Sequence, residues 1–300
     1  MTEGFARHGA VRIAYDVEGP PGGEPLLLIM GLGLQLLFWP DSLRALLTGA
    51  GFRVARYDNR DVGLSTHLVG LGSPTLLSLA RRRPPGYDLA DMAGDALAVL
   101  DALGWRSAHV AGVSLGGMIA QTMAGLRPGR VRSLTSISAT PSPRIGRPGP
   151  RAVAALLRRP APGREAAAQQ VVDIFRVIGS PGHPHDEEWL REVARRCHDR
   201  AHDPAGIRRQ LAAILSAEDR RPKLRTLRLP ALVIHGEADP LVRLPGGLAT
   251  ARALRGAKLV VYSGMGHDLP AALQPDIAAE ITAVADRGAN DAECPSGIRA

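Results

Sequence analysis

Residues 110–118 read Val-Ala-Gly-Val-Ser-Leu-Gly-Gly-Met, and Gly112-Val113-Ser114-Leu115-Gly116 within them fits the pattern G-x-S-x-G. The pattern alone recurs by chance, so its setting carries the meaning. The largely apolar run Ala108–Val113 precedes the serine as a buried strand would, and Ser114–Leu126 continues with a helical pattern. A strand turning sharply into a helix at Ser114 strains the serine backbone and leaves its Oγ exposed. Such a turn tolerates only small neighbours, which Gly112 and Gly116 supply. The helix directs its positive N-terminal end at the same point, where it would stabilise a developing oxyanion. The chemistry predicted is nucleophilic acyl transfer, against a non-catalytic glycine-rich turn.

A serine hydroxyl is a poor nucleophile near neutral pH and needs a base within hydrogen-bond reach. Of nine histidines, His267 is the candidate: it closes Tyr262-Ser263-Gly264-Met265-Gly266-His267, between the last apolar run and the last helical pattern. His235 is its rival near the sheet's carboxyl edge. The orienting acid belongs between serine and histidine in chain order. Asp239, in Ala231-Leu-Val-Ile-His-Gly-Glu-Ala-Asp-Pro240, meets that condition, with Glu237 as the nearby competitor. Its task is to accept the histidine's other N–H and stabilise the imidazolium. An oxyanion hole needs two backbone donors. The N–H of Leu115 is one, and that of Leu32, in the loop Met30-Gly31-Leu32-Gly33, is the other. Gly31, Leu32, Trp39, Leu115 and Met265 are expected around the substrate, together with a helical insertion. Gly31-Leu32-Gly33 lacks the third glycine of a dinucleotide fingerprint.

The elements that must position these residues alternate. Strand-like runs fall at Val11–Val17, Leu26–Met30, Arg53–Tyr57, Ala108–Val113, Val131–Ser138, Ala231–His235 and Lys258–Tyr262. Helical patterns fall between them, at Pro40–Gly49, Asp88–Leu103, Ser114–Leu126 and Pro275–Ala285, with Asp88 or Asp91 able to cap the second. Strands alternating with helices predict a mostly parallel sheet covered on both faces. The alternation breaks between 140 and 222, which reads as a helical cap inserted into a core formed by 1–139 and 223–287. Residues 288–300 read as a frayed tail.

The formal net charge is +8. Residues 140–225 hold seventeen basic side chains against ten acidic ones, so nearly all of the excess lies in that segment. Aromatic residues do not accompany it as nucleic-acid binding would require, and no nucleic-acid partner is expected. A solvated arginine-rich surface or a lid that attracts anionic ligands are the two readings. No apolar run approaches the ~18 residues that span a membrane. There is no signal-peptide pattern, and two cysteines give no disulfide framework, so a cytoplasmic chain is expected. His198 and His202 stand four apart without the glutamate of a zinc-protease helix, and no metal site is expected.

The elbow, the Ser-Asp-His order and Arg56-Tyr-Asp-Asn-Arg-Asp-Val-Gly-Leu-Ser65 together resemble the α/β-hydrolase superfamily. The Arg56–Ser65 run, the Met30–Gly33 loop and Gly264-Met-Gly-His-Asp-Leu-Pro270 are most similar to the branch that includes the aclacinomycin methylesterase, although Met30 stands where many superfamily members carry histidine. The resemblance implies an α/β-hydrolase fold with an eight-stranded, mostly parallel sheet, and Ser114, Asp239 and His267 as triad. It further implies cleavage of a methyl or other carboxylic ester on a small hydrophobic or polyketide-like molecule, without a cofactor. C–C bond hydrolysis, lactone opening, another polyketide-tailoring step, or ligand binding without catalysis stand as alternatives on the same scaffold. Asp58 and Arg60 are expected to brace a turn. Oligomeric state is left open.

Overall fold

The computed structural model describes residues 2–82 and 86–293. Among them eight strands form one sheet: β1 (Thr2–His8), β2 (Val11–Glu18), β3 (Glu24–Ile29), β4 (Phe52–Tyr57), β5 (Ala108–Val113), β6 (Val131–Ile137), β7 (Ala231–Gly236) and β8 (Lys258–Tyr262). Their spatial order is β1-β2-β4-β3-β5-β6-β7-β8. β2 runs antiparallel to both neighbours, and the remaining pairs are parallel. This is the mostly parallel sheet the alternating pattern predicted. β1 lacks an apolar run because it is an edge strand, paired only with β2 and largely exposed.

The helices are α1 (Asp41–Gly49), α2 (Leu76–Ala80), α3 (Leu89–Ala102), α4 (Leu115–Leu126), α5 (Pro150–Leu156), α6 (Arg164–Ile178), α7 (Glu187–Arg200), α8 (Pro204–Ser216), α9 (Arg221–Leu224), α10 (Pro245–Ala253) and α11 (Gln274–Glu293). Strand side chains alternate between faces, so Leu27 and Ile29 join the core under α3 and α4, whereas Leu26 and Leu28 join that under α1 and α11. Asp88 caps α3 in a reciprocal box with Asp91. α11 continues six residues into the segment read as a tail. Its alanine-rich sequence supports helix despite Gly288. Residues 294–300 lie outside the described residues.

β3 has β4 on one side and β5 on the other, so the winding direction of the sheet reverses there. Loops leaving the carboxyl ends of two such strands diverge and open a crevice, the usual ligand site of open parallel sheets. The loops after β3 and β5 carry Gly31–Gly33 and Ser114.

Helices α5–α8 stand between β6 and β7 in sequence and cover this crevice. The two ends of the insertion meet: the Arg220 N–H donates to Pro141 O at 2.9 Å, and its guanidinium to Thr140 O at 2.6 Å. Two other arginines reach into the core. Arg209 is fully buried and makes a two-pronged contact with Asp61, at 2.9 and 2.8 Å. Arg200 donates to buried Asp58 at 2.9 Å. Asp58 also accepts the Leu36 and Leu64 amides, yet burial outweighs these contacts and raises its carboxyl above the usual range. Arg60 pairs with Asp95, at 2.6 and 2.8 Å. The Arg56–Ser65 run is thus a socket of buried charge that seats the insertion.

Removing one member of a buried pair strands the other charge, at about 3–5 kcal/mol. Arg209→Met is therefore expected to lower the unfolding free energy measured by urea titration by a loss of that size. The double variant Asp61→Asn/Arg209→Met should recover part of it. A single variant as stable as the parent would show that the pair does not hold the insertion in place.

Candidate active site

Ser114 occupies the turn between β5 and α4 with φ +57° and ψ −117°, a conformation that side chains other than glycine rarely adopt. The neighbouring glycines explain how it is tolerated. A Cβ on Gly112 would lie 2.2 Å from Gly116 O, and one on Gly116 would lie 1.9 Å from Ile29 O. The Ser114 N–H is anchored on Ile137 O at 2.9 Å. The hydroxyl opens onto a cavity of about 300 Å³ that His267 also lines.

His267 is 7% exposed. Its Nδ1 lies 2.6 Å from Asp239 Oδ2, which leaves Nε2 as the nitrogen free for chemistry. Asp239 is 3% exposed, and its other oxygen accepts the Leu241 and Val242 amides at 2.8 and 2.9 Å. A carboxylate fixed at both oxygens holds one imidazole tautomer, with the proton on Nδ1. The competitors are occupied elsewhere. Glu237 is exposed and accepts the Ser263 hydroxyl at 2.7 Å. His235 is fully buried, with Nε2 at 2.7 Å from Val242 O, and burial lowers its pKa, so it stays a neutral structural donor.

The insertion holds the histidine loop. The His267 N–H donates to Ile178 O at 2.8 Å, and the Gly266 N–H to Ser180 Oγ at 2.8 Å. A Cβ on Gly266 would stand 2.2 Å from Gly179 O, which is why the loop carries glycine there.

The loop after β3 packs against the serine, since a Cβ on Gly31 would lie 3.3 Å from Ser114 Cβ. The Leu34 N–H closes this loop on Gly31 O at 3.3 Å, and Gly33 has φ +69°. The Gly33 N–H is committed to Gln210 Oε1 at 2.9 Å. Leu32 lines the cavity, and Leu115 begins α4 beside the serine.

Three expected wall residues lie elsewhere. The Leu115 side chain is fully buried in the core with α3 and α4 and does not line the cavity. Trp39 and Met265 are fully buried in the core beneath α1 and α11 and do not line the cavity. The 3-10 turn Leu36–Phe38 instead presents Phe38, which stacks on Phe175 of α6 at 6.2 Å between ring centres. Leu79, Val171, Ile174 and Leu211 extend this apolar lining, and Gly31 also lines it. One end is polar. His67 lies 3.0 Å from Asp203 and 2.9 Å from Gly63 O. Burial alone would lower its pKa, but these two acceptors outweigh it and the net shift is upward. His198 and His202 lie there with ring centres 4.8 Å apart and planes tilted by 31°. Burial and the His198 charge lower the pKa of His202. Among the described residues no group of three or more His, Cys, Asp or Glu could hold a metal ion.

Sequence reasoning missed Phe38, the two docking arginines and Gln210. The last three act across sequence separations of 142 to 177 residues. No periodicity in the insertion singles them out.

Residues 24–166 match a family model described as alpha/beta hydrolase fold, and residues 187–285 match one described as TAP-like protein. The rhodomycin D methylesterase DnrP of Streptomyces peucetius is 31% identical over 288 residues, covering 88% of this chain and 92% of its own. DauP of Streptomyces sp. strain C5, also a rhodomycin D methylesterase, is 32% identical over the same shares. Among solved structures, the enol-lactonase from Burkholderia xenovorans LB400 superposes with a TM-score of 0.67 at 24% identity, covering 96% of this chain and all of that one.

A short hydrogen bond between His267 Nδ1 and a buried carboxylate deshields the shared proton. Proton NMR of the protein is expected to show a strongly downfield exchangeable signal that Asp239→Asn removes and Glu237→Gln leaves in place. A signal that survives in the first variant would overturn the pairing.

Proposed function

Because the chain belongs to the α/β-hydrolase family, we propose that it is a serine esterase whose triad is Ser114, His267 and Asp239. The observation that carries this reading is the His267–Asp239 contact at 2.6 Å, which leaves Nε2 of a cavity-lining histidine in the same pocket as the strained Ser114.

The reaction follows from the arrangement. Ser114 Oγ attacks the ester carbonyl carbon as His267 Nε2 takes the hydroxyl proton. Asp239 stabilises the imidazolium. The carbonyl electron pair moves onto oxygen, where the Leu115 and Leu32 N–H groups receive it. The pair returns as the C–O bond to the alcohol breaks, and His267 hands its proton to the departing alkoxide. An acyl ester on Ser114 remains. Water then gives a proton to His267 and adds to the acyl carbon. Collapse releases the carboxylic acid and restores the Ser114 hydroxyl.

The core, 1–139 and the chain from 223 through α11, carries this chemistry, and the insertion, 140–222, shapes the substrate end. Apolar walls suit an acid component that is small and hydrophobic or polyketide-like, and similarity to two methylesterases supports a methyl ester. The substrate is a small molecule, and the steps above draw on no cofactor. Among the described residues no helix is long and apolar enough to cross a membrane. The free buried Cys197, whose thiol burial pushes up to about 12, fits a reducing cytoplasm.

Hydrolysis of a p-nitrophenyl ester panel and methanol release from aromatic methyl esters are the assays. Ser114→Ala is expected to lower kcat/KM by roughly 10³-fold or more. Equal rates in parent and variant would sink the reading. A fluorophosphonate should label the parent at Ser114. No labelling and no turnover would identify a ligand-binding protein instead.

A further inference from the structure

Gln210 sits on α8 of the insertion and is fully buried. Its Oε1 accepts the Gly33 N–H at 2.9 Å, and its Nε2 donates to Arg60 O at 2.7 Å. The two partners leave no ambiguity about the amide's orientation, because a peptide N–H only donates and a carbonyl only accepts. One side chain therefore joins the loop after β3 to the loop after β4. The adjacent Arg209, locked onto Asp61, fixes where α8 can sit.

The Gly31–Leu34 turn has a positive φ at its third residue, Gly33, and not at its second, Leu32, which makes it type II. Type I differs mainly in the orientation of the middle peptide, here Leu32 C=O to Gly33 N–H. The bond to Gln210 holds that peptide in one of the two orientations. Its plane shares the Leu32 Cα with the plane that carries the Leu32 N–H. Gly31 in the same turn is packed on Ser114. A shift of the turn therefore moves the Leu32 amide relative to the serine.

We propose that Gln210 is a positioning residue: from the insertion it fixes the turn that presents the Leu32 N–H, so that seating of the insertion and stabilisation of the oxyanion are a single coupled element. This rests on the esterase reading above. Gln210 itself is not a catalytic residue, since it works through the turn.

The test compares kcat, KM and their pH dependence for the parent, Gln210→Leu and Gln210→Glu on a small p-nitrophenyl ester. Gln210→Leu removes both bonds. Its kcat is expected to fall roughly 10- to 100-fold, short of the 10²–10³ seen when an oxyanion donor is deleted outright. KM should change little, because the amide acts on charge that develops during reaction. Gln210→Glu separates positioning from packing. Its protonated acid reproduces both bonds of glutamine, whereas its carboxylate faces the Arg60 carbonyl without a proton to donate. The ratio of its kcat to the parent's should thus be near one at the acid end and decline as pH rises through an ionisation that the parent lacks. A folded Gln210→Leu with parental kcat, a loss confined to KM, or a flat ratio for Gln210→Glu would overturn the inference. If the parent shows no Ser114-dependent hydrolysis, both readings fall. Ser114-dependent hydrolysis indifferent to Gln210 overturns this one alone.

Discussion

The cavity depends on how closely α4 approaches the carboxyl end of β3. A Cβ on Gly116 would sit 1.9 Å from the Ile29 carbonyl oxygen, so the two backbones touch with no side chain between them. That approach puts the first residues of the helix beside the loop that leaves β3. It also compels the chain to turn within one residue, and Ser114 takes up the turn with a positive φ. The strain is of order 1–3 kcal/mol, persists only where the surroundings over-determine it, and is a common mark of functional positions. Here the surroundings are the buried strands β3 and β5 below and the Ile137 carbonyl that holds the Ser114 N–H.

The insertion does more than cover this point. It grips both loops that flank the serine. Ile178 and Ser180, at and just beyond the end of α6, hold the Gly266–His267 backbone, and Gln210 on α8 holds Gly33. Its seat on the core is electrostatic, through Arg200 to Asp58 and Arg209 to Asp61. Ion pairs this deep add little net stability, because desolvation offsets most of their attraction. They do penalise misplacement severely, since a displaced arginine leaves a buried carboxylate alone. The upward shift of Asp58 despite its cationic partner expresses the same penalty. Such contacts favour one placement of the insertion over many loosely packed ones.

The parts of this site governed by short-range rules were legible in the sequence. The elbow at Ser114 is a local pattern with a steric cause, and Asp239 and His267 each follow an apolar run by a few residues, so their places were readable from order alone. Directions of side chains in irregular segments were not. Phe38 and Trp39 are neighbours of similar character, and only the 3-10 turn decides that the first faces the cavity and the second the core. Met265, in another irregular segment, likewise faces the core. β1 was hidden because an exposed edge strand does not need apolar residues. Gln210 and Arg209 look like ordinary members of an arginine-rich helix until the fold brings residues 33, 60 and 61 against them.

The same geometry changes the meaning of the basic charge. Seventeen basic side chains between 140 and 225 suggested either a solvated surface or an anion-attracting lid. Several are matched on the exterior by acids of the insertion itself, as in Arg164 with Asp199, Arg176 with Glu187 and Arg195 with Glu165. Exposed pairs of this kind contribute little, because solvent screens them, and they are weakened further by salt. Arg200, Arg209 and Arg220 are turned inward and spend their charge on core carboxylates, carbonyls and Gln121. Arginine suits that inward task better than lysine, because its planar fork engages two acceptors at once and is less strongly hydrated. Part of what the composition presents as excess charge is therefore structural, built into the joint between insertion and core. Of the segment's basic side chains, Arg158 and Arg208 are among those that line the cavity, so its net charge overstates what a bound ligand meets.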